Sequence, residues 1–265
     1  MERKIFFFDI DGTLLDCEHG LVKMQDKVYD ALLELKQNGH LLCFSTGRCY
    51  AYLTSQLKSL APDGMILSNG ANVIYRGQTL HEFYFPQAEV DEIVDYCKQN
   101  DIEYVIEGKE HFVSLKRFKQ MNAFFELFEI SKDNMLEEMP TDFKTYKMAV
   151  IPHNHQEADA IYQRYHQHYQ MMRHQDDSFD IYPLHISKGK ALRHILQEVH
   201  LSLEDCIAFG DGFNDLEILE VAGLGIAMGN AQKSVKDKAK DVCSSVQENG
   251  VAKKLVELGY IKGEN

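Results

Sequence analysis

Short apolar runs alternate with helical patterns in the first and last thirds of the chain, and this alternation constrains the fold most. The runs at residues 4–10, 41–45 and 206–209 have the continuous apolar character of strands buried on both faces. Residues 26–38 and 190–199 instead place apolar side chains at helical spacing. Strands that alternate with helices in this way pair in parallel through right-handed crossovers. We therefore expect a Rossmann-like parallel sheet in an α/β fold.

The middle of the chain follows a different pattern. A helix is predicted from Pro86 to about residue 99, strands over 103–106, 147–151 and 179–182, and a second helix over 158–169. This order favours an α+β domain inserted into the parallel fold. The predicted core therefore comprises residues 1–83 and 186–265, and the predicted insert comprises residues 84–185.

Charge and composition exclude several classes of partner. Lys and Arg total 28 against 41 Asp and Glu, so the formal charge is −13 and non-specific binding to nucleic acid or anionic lipid is disfavoured. No apolar run approaches the roughly 18 residues of a membrane helix. The six cysteines are scattered and predict reduced, mostly buried thiols. We expect a cytoplasmic protein, a monomer or weak homodimer, that binds neither membranes nor nucleic acid.

Two acidic segments directly follow predicted strands. Residues 9–13 read Asp-Ile-Asp-Gly-Thr, and residues 210–215 read Gly-Asp-Gly-Phe-Asn-Asp. Paired carboxylates at the end of a buried strand are costly without a cation, and carboxylate and amide oxygens suit a hard divalent ion. A capped turn is the structural alternative for the first segment. Capping explains one aspartate of the second segment but not both.

Two further segments carry groups that suit a phosphate. Ser45-Thr46-Gly47-Arg48 follows the second strand, and Ser187-Lys188-Gly189-Lys190 opens a helix. A hydroxyl with nearby N–H groups, or a lysine, can bind an anion there. A helix cap and a surface lysine are the ordinary alternatives. Because ligands gather at the carboxyl ends of parallel strands, all four segments are expected to converge on one site.

In order and spacing, these four segments resemble the haloacid dehalogenase superfamily of phosphohydrolases. The match comprises Asp9-x-Asp11-x-Thr13, Thr46, Lys188 and Asp211-x-x-Asn214-Asp215, and it extends over essentially the whole chain. The insert resembles the type-IIB cap of the Cof-like subfamily, and Ser68-Asn69-Gly70-Ala71 also resembles a stretch of that subfamily. The resemblance implies a core with an inserted cap domain that selects the substrate, a small phosphorylated metabolite.

The resemblance also implies roles for individual residues. Asp9 would be the nucleophile that forms an aspartyl-phosphate, and Asp11 the general acid and base. The implied Mg²⁺ ligands are Asp9, Asp11 through its backbone carbonyl, Asp211 and Asp215, the last directly or through water. The implied phosphate-binding and orienting residues are Ile10, Gly12, Thr46, Gly47, Asn69, Lys188 and Asn214.

Charge counting supports a metal independently of the resemblance. Four aspartates and a phosphate ester would bring several like charges together, and each pair about 4 Å apart repels by about 4 kcal/mol at an effective dielectric constant of about 20. One Mg²⁺ with Lys188 would neutralise about three charges, so the metal is expected to be required for substrate binding.

The sequence alone leaves two other functions open. A phosphomutase of the phosphomannomutase type would share the core and the cap, but it would return the phosphoryl group instead of losing it to water. A non-catalytic binding or regulatory protein could use the same scaffold. Sugar phosphates and phosphorylated cofactors are the substrates that the resemblance suggests for a phosphatase.

Overall fold

The structure is a computed structural model and describes residues 2–263. Its strands are β1 (Ile5–Phe8), β2 (Leu41–Ser45), β3 (Gly64–Leu67), β4 (Asn72–Tyr75), β5 (Gln78–Glu82), β6 (Glu103–Glu107), β7 (Phe112–Val113), β8 (Met135–Leu136), β9 (Lys147–Ile151), β10 (Gln170–Arg173), β11 (Phe179–Tyr182), β12 (Cys206–Gly210), β13 (Leu224–Ala227) and β14 (Asp241–Val242). Its α-helices are α1 (Asp26–Gln37), α2 (Ser55–Ser59), α3 (Gln87–Gln99), α4 (Lys119–Leu127), α5 (His155–Tyr165), α6 (Lys188–Val199), α7 (Leu216–Val221), α8 (Lys233–Lys236) and α9 (Gly250–Glu257).

The chain divides into two compact units. The first comprises Met1–Gly47, Thr54–His81 and Ser187–Asn265, and the second comprises Arg48–Leu53 and Glu82–Ile186. The second unit therefore includes a short segment that follows β2, in addition to the central stretch of the chain.

A large sheet forms the centre of the first unit, in the order β14-β13-β12-β1-β2-β3-β4-β5. Pairing is parallel from β14 to β3, and β4 runs antiparallel to β3. Strand β1 lies between β12 and β2, with Ile5 opposite both Cys206 and Leu41. All four residues of β1 are buried, as a strand covered on both faces requires. The α/β class with a parallel-sheet core is therefore confirmed.

The second unit is an α+β domain around a sheet of order β10-β11-β9-β6-β7-β8. Its pairs are antiparallel except for β7 with β8. Aromatic side chains such as Phe112, Phe125 and Phe179 occupy its core and are at most 1% exposed.

Two predicted helices are shorter in the structure. The sequence over residues 50–60 predicts a helix that Pro62 ends. In the structure this helix is interrupted, because Thr54 adopts an extended conformation and its side chain accepts a hydrogen bond from the Leu57 N–H at 3.3 Å, so that α2 begins only at Ser55. Helix α5 ends at Tyr165, and the chain then forms β10. All six cysteines are buried, and none of them forms a disulfide within the described residues. In the part of the chain that the structure describes, no helix is long and apolar enough to span a bilayer.

Candidate active site

Three adjacent strands carry the polar segments to the same edge of the sheet. Asp9 follows β1, Thr46 follows β2 and Asp211 follows β12, and these strands are neighbours in the order β12-β1-β2. The Asp9 N–H donates to the Phe209 carbonyl at 3.0 Å, so the pairing with β12 extends to the first aspartate. Parallel pairing therefore brings residues about 200 positions apart in sequence to one site.

Three carboxylates meet at this edge. Each of Asp9, Asp211 and Asp215 offers an oxygen, and these oxygens all lie within 4.8 Å of one another. Asp9 and Asp215 are buried and Asp211 is half-buried. Asp11 is half-buried, and its carboxylate lies outside this cluster of three.

Lys188 is the cation that joins two of these carboxylates. Its ammonium lies 2.7 Å from Asp9 Oδ1 and 2.6 Å from Asp215 Oδ1, and its side chain has no exposed area. Helix α6 begins at Lys188, since the Ser187 side chain accepts a hydrogen bond from the Lys190 N–H at 3.1 Å. The cap thus fixes the position from which the lysine reaches the strand ends.

Burial and mutual repulsion determine the charge state of the carboxylates. Desolvation raises the pKa of Asp9 well above its usual value, with a further increase from the charge of Asp215, although Lys188 opposes it. Desolvation and the charge of Asp215 likewise raise the pKa of Asp211 to about 7. Additional positive charge, which a divalent cation would supply, would favour the ionised form of both carboxylates.

Asp215 holds the loop that follows β12. Its Oδ2 accepts hydrogen bonds from the N–H groups of Asp211 and Gly212, both at 3.0 Å, while its Oδ1 accepts from Lys188. Both carboxylate oxygens are therefore committed within the protein. By contrast, Asp211 Oδ1 is buried and has no hydrogen-bond partner in the described chain, so it is available to a ligand.

The loop after β1 turns at Gly12. Gly12 has a φ of +85°, and a Cβ at this position would overlap the Asp211 carboxylate, so glycine is required both by the backbone and by the contact. Its N–H donates to the Leu15 carbonyl at 2.7 Å. The prediction that Gly12 binds a phosphate stays a prediction. Ile10 is fully buried, and its carbonyl accepts hydrogen bonds from Leu14 and Leu15 at 2.8 and 2.9 Å.

A chain of hydrogen bonds links the loops after β2, β3 and β12. The Asn214 side-chain amide donates to Asn69 Oδ1 at 3.0 Å, and the Asn69 N–H donates to the Thr46 carbonyl at 3.0 Å. Thr46 and Asn69 are buried, Asn214 is half-buried, and Gly47 is half-buried beside Thr46. Asn69 has a φ of +54°, an uncommon value for a residue with a side chain. The structure thus brings these predicted residues into one network.

One residue of the site was absent from the sequence prediction. Asn230, three residues beyond the end of β13, donates from its side-chain amide to the Gly12 carbonyl at 2.8 Å. It also lies 3.5 Å from Asp211 Oδ2 and accepts a hydrogen bond from the Val246 N–H at 3.0 Å. An asparagine that acts mainly on backbone groups leaves no recognisable sequence pattern.

Comparisons with known proteins give a consistent family assignment. The family model for haloacid dehalogenase-like hydrolases matches residues 6–255. A relative named HMP-PP phosphatase, from Escherichia fergusonii, is 31% identical, and the match covers 86% of this chain and 85% of the relative.

Solved structures share the fold over nearly the whole chain. A protein of Geobacillus kaustophilus is 27% identical with a TM-score of 0.86, covering 98% of this chain and 100% of that one. A sugar phosphatase of subclass IIB of the same superfamily is 24% identical with a TM-score of 0.82, covering 97% of this chain and 100% of that one.

Proposed function

The chain belongs to the haloacid dehalogenase-like hydrolase family. On this premise we propose that it is a Mg²⁺-dependent phosphatase in which Asp9 carries the phosphoryl group transiently in each turnover. Membership and the phosphatase relative make it a phosphoric monoester hydrolase. The observation that carries the proposal is the convergence of three carboxylates within 4.8 Å of one another, two of them paired with the buried Lys188.

The residues at the site fit a magnesium ion. The donors are carboxylate oxygens, which are the ligands that Mg²⁺ prefers, and Asp211 Oδ1 is buried without a hydrogen-bond partner in the described chain. Asp9, Asp211 and the Asp11 carbonyl would hold the ion. Asp215 would act through the loop amides and Lys188, since both its oxygens are already committed. The ion would neutralise charge on the transferring phosphoryl group.

In the first step, a carboxylate oxygen of Asp9 attacks phosphorus, and the bond between phosphorus and the leaving oxygen breaks. Lys188 donates to Asp9 Oδ1 and so fixes the orientation of the nucleophile. Asp11 gives its proton to the leaving oxygen, which departs as an alcohol. Thr46 and Lys188 would bind the phosphoryl oxygens during the transfer.

In the second step, water releases the phosphoryl group from Asp9. Asp11, now ionised, accepts a proton from that water, and inorganic phosphate and the free Asp9 carboxylate are regenerated. Both steps need Asp11 close to Asp9, and its half-buried position two residues after Asp9, in the loop that follows β1, supports this role.

A panel of phosphate esters tests the proposal. We expect Mg²⁺-dependent release of phosphate from at least one small phosphorylated metabolite, with HMP-PP, sugar phosphates and phosphorylated cofactors in the panel. Asp9→Asn should be inactive but folded, whereas Asp30→Asn, which changes an exposed carboxylate of α1, should retain full activity. Release of phosphate by the Asp9→Asn variant would exclude Asp9 as the nucleophile. Conversion of a substrate to an isomer without phosphate release would instead indicate a mutase.

A further inference from the structure

Asn230 connects three separate loops of the first unit through one side-chain amide. Its Nδ2 donates to the Gly12 carbonyl in the loop after β1, at 2.8 Å, and lies 3.5 Å from Asp211 Oδ2 in the loop after β12. Its Oδ1 accepts from the Val246 N–H near the C-terminus, at 3.0 Å. Most of these contacts are to the backbone, so they fix the positions of whole loops.

The orientation of the amide follows from its partners. A backbone N–H can only donate, so the atom that faces Val246 must be the oxygen of the amide. The NH₂ group must then face the Gly12 carbonyl, which only accepts hydrogen bonds, and this orientation also directs it toward Asp211 Oδ2. Each end of the amide therefore meets a partner of the required type.

The amide and Gly12 together restrict the Asp211 carboxylate. Gly12 lies in such close contact with this carboxylate that a Cβ could not be accommodated, and Asn230 lies against its Oδ2. The other oxygen, Oδ1, is buried and has no hydrogen-bond partner in the described residues. Restricting Oδ2 on the protein side leaves Oδ1 as the oxygen presented to an ion.

We propose that Asn230 is a positioning residue for the metal site: it fixes the Gly12 loop and the Asp211 carboxylate in the orientation in which Asp211 Oδ1 binds the cation. This inference rests on the proposed function, because it concerns the same ion. Mutation of a residue that hydrogen-bonds to a metal ligand and orients it typically lowers metal affinity or activity by about 10- to 100-fold.

Isothermal titration calorimetry with Mg²⁺ alone tests this role without substrate or turnover. Asn230→Ala should raise the Mg²⁺ dissociation constant by about 10-fold or more, and Asn230→Gln, which restores an amide, should fall between Ala and wild type. Asn38→Ala is the matched control, since Asn38 is exposed and donates from its amide to a backbone carbonyl, that of Tyr260, at 2.8 Å. The Mg²⁺ dissociation constant of Asn38→Ala should equal that of wild type.

A second readout separates positioning from general stability. The melting temperature without metal should fall in both Asn230→Ala and Asn38→Ala, since each variant loses amide hydrogen bonds, but only Asn230→Ala should also lose Mg²⁺ affinity. In a titration of phosphatase activity, the half-saturating Mg²⁺ concentration should rise in Asn230→Ala, while kcat at saturating Mg²⁺ should change less.

The outcomes distinguish this inference from the proposed function. Binding of Mg²⁺ by Asn230→Ala within twofold of wild type would overturn the positioning role, as would an Asn230→Gln protein that binds no more tightly than Asn230→Ala. If wild type itself binds no Mg²⁺, the proposed metal site fails, and the positioning role fails with it.

Discussion

Removal of the buried Lys188 ammonium is the perturbation whose effect the structure defines best. Its ion pairs with Asp9 and Asp215, at 2.7 and 2.6 Å, each correspond to about 6 kcal/mol of attraction at an effective dielectric constant of about 20. The cost of desolvating the ammonium offsets much of this attraction. Deleting one partner of a buried ion pair typically destabilises a protein by about 3–5 kcal/mol, because the remaining charge is left uncompensated.

Lys188→Met keeps a side chain of similar length and leaves two buried carboxylates without their cation. We expect a melting temperature roughly 6 to 20 °C below that of wild type in metal-free buffer, as 3–5 kcal/mol implies for a domain of about 150–250 residues. Mg²⁺ should raise the melting temperature of this variant more than that of wild type, since the ion supplies the missing positive charge.

Lys147→Met is the matched control in the other unit. Lys147 is also buried between two carboxylates, with its ammonium 2.8 Å from Glu107 Oε1 and 3.3 Å from Asp180 Oδ1. This variant should also be destabilised, but Mg²⁺ should shift its melting temperature only as much as it shifts wild type. Differential scanning calorimetry with and without Mg²⁺ provides both numbers. A Lys188→Met protein as stable as wild type, or one with no enhanced response to Mg²⁺, would refute the electrostatic reasoning.

Three further experiments address the metal, the Gly12 loop and the pH dependence of stability. EDTA should abolish phosphate release and Mg²⁺ should restore it; activity that survives chelation would contradict the metal assignment. Gly12→Ala and Gly20→Ala both place an alanine at a φ near +85°, which costs roughly 1–2 kcal/mol of stability. Only Gly12→Ala should also weaken Mg²⁺ binding in calorimetry, because a Cβ at Gly12 would overlap the Asp211 carboxylate whereas a Cβ at Gly20 meets nothing within 4 Å. Burial lowers the pKa of His40 below its usual 6.5, so the stability it contributes should be complete above pH 6.5 and be lost as the pH falls through its lower folded-state value. In urea denaturation, the free energy of unfolding should therefore decrease less steeply with falling pH in His40→Gln than in wild type. Equal slopes in the two proteins would exclude His40 as a source of this pH dependence.

The strands were the most predictable part of the fold. Strands β9 and β11 occupy the predicted ranges 147–151 and 179–182, since both consist mainly of apolar residues and each is followed directly by a proline. The hairpin of β4 and β5 was not predicted. It turns at Arg76 and Gly77, which have φ values of +46° and +80°, and Arg-Gly is a weaker hairpin signal than Asn-Gly.

Helix boundaries were less predictable, because the buried positions continue beyond the end of a helix. Tyr165 and Tyr169 are both buried, but α5 ends at the first of them. The basic residues Lys116, Arg117 and Lys119 lie close together in the sequence and suggest the solvated face of a helix. In the structure, Lys116 and Arg117 precede α4 and form exposed ion pairs with Glu137 and Asp101.

At the site, sequence reasoning succeeded where strand ends dictate position. Asp9 and Asp211 follow neighbouring parallel strands, so their convergence is a consequence of the sheet order. Sequence reasoning could not identify which carboxylate oxygens already accept hydrogen bonds within the protein. In Asp215, for example, the backbone N–H groups of the neighbouring loop occupy Oδ2. Sequence reasoning also could not identify Asn230, whose partners are mainly backbone groups.

The central claim is that Asp9 carries the phosphoryl group during turnover, and rapid-quench mass spectrometry tests it most directly. A turning-over sample with Mg²⁺, quenched in acid and digested, should yield the peptide containing Asp9 with the added mass of one phosphoryl group. The modification should be absent from Asp9→Asn. Phosphate release without any modified enzyme in the quenched samples, or a phosphoryl group on a different residue, would contradict the account.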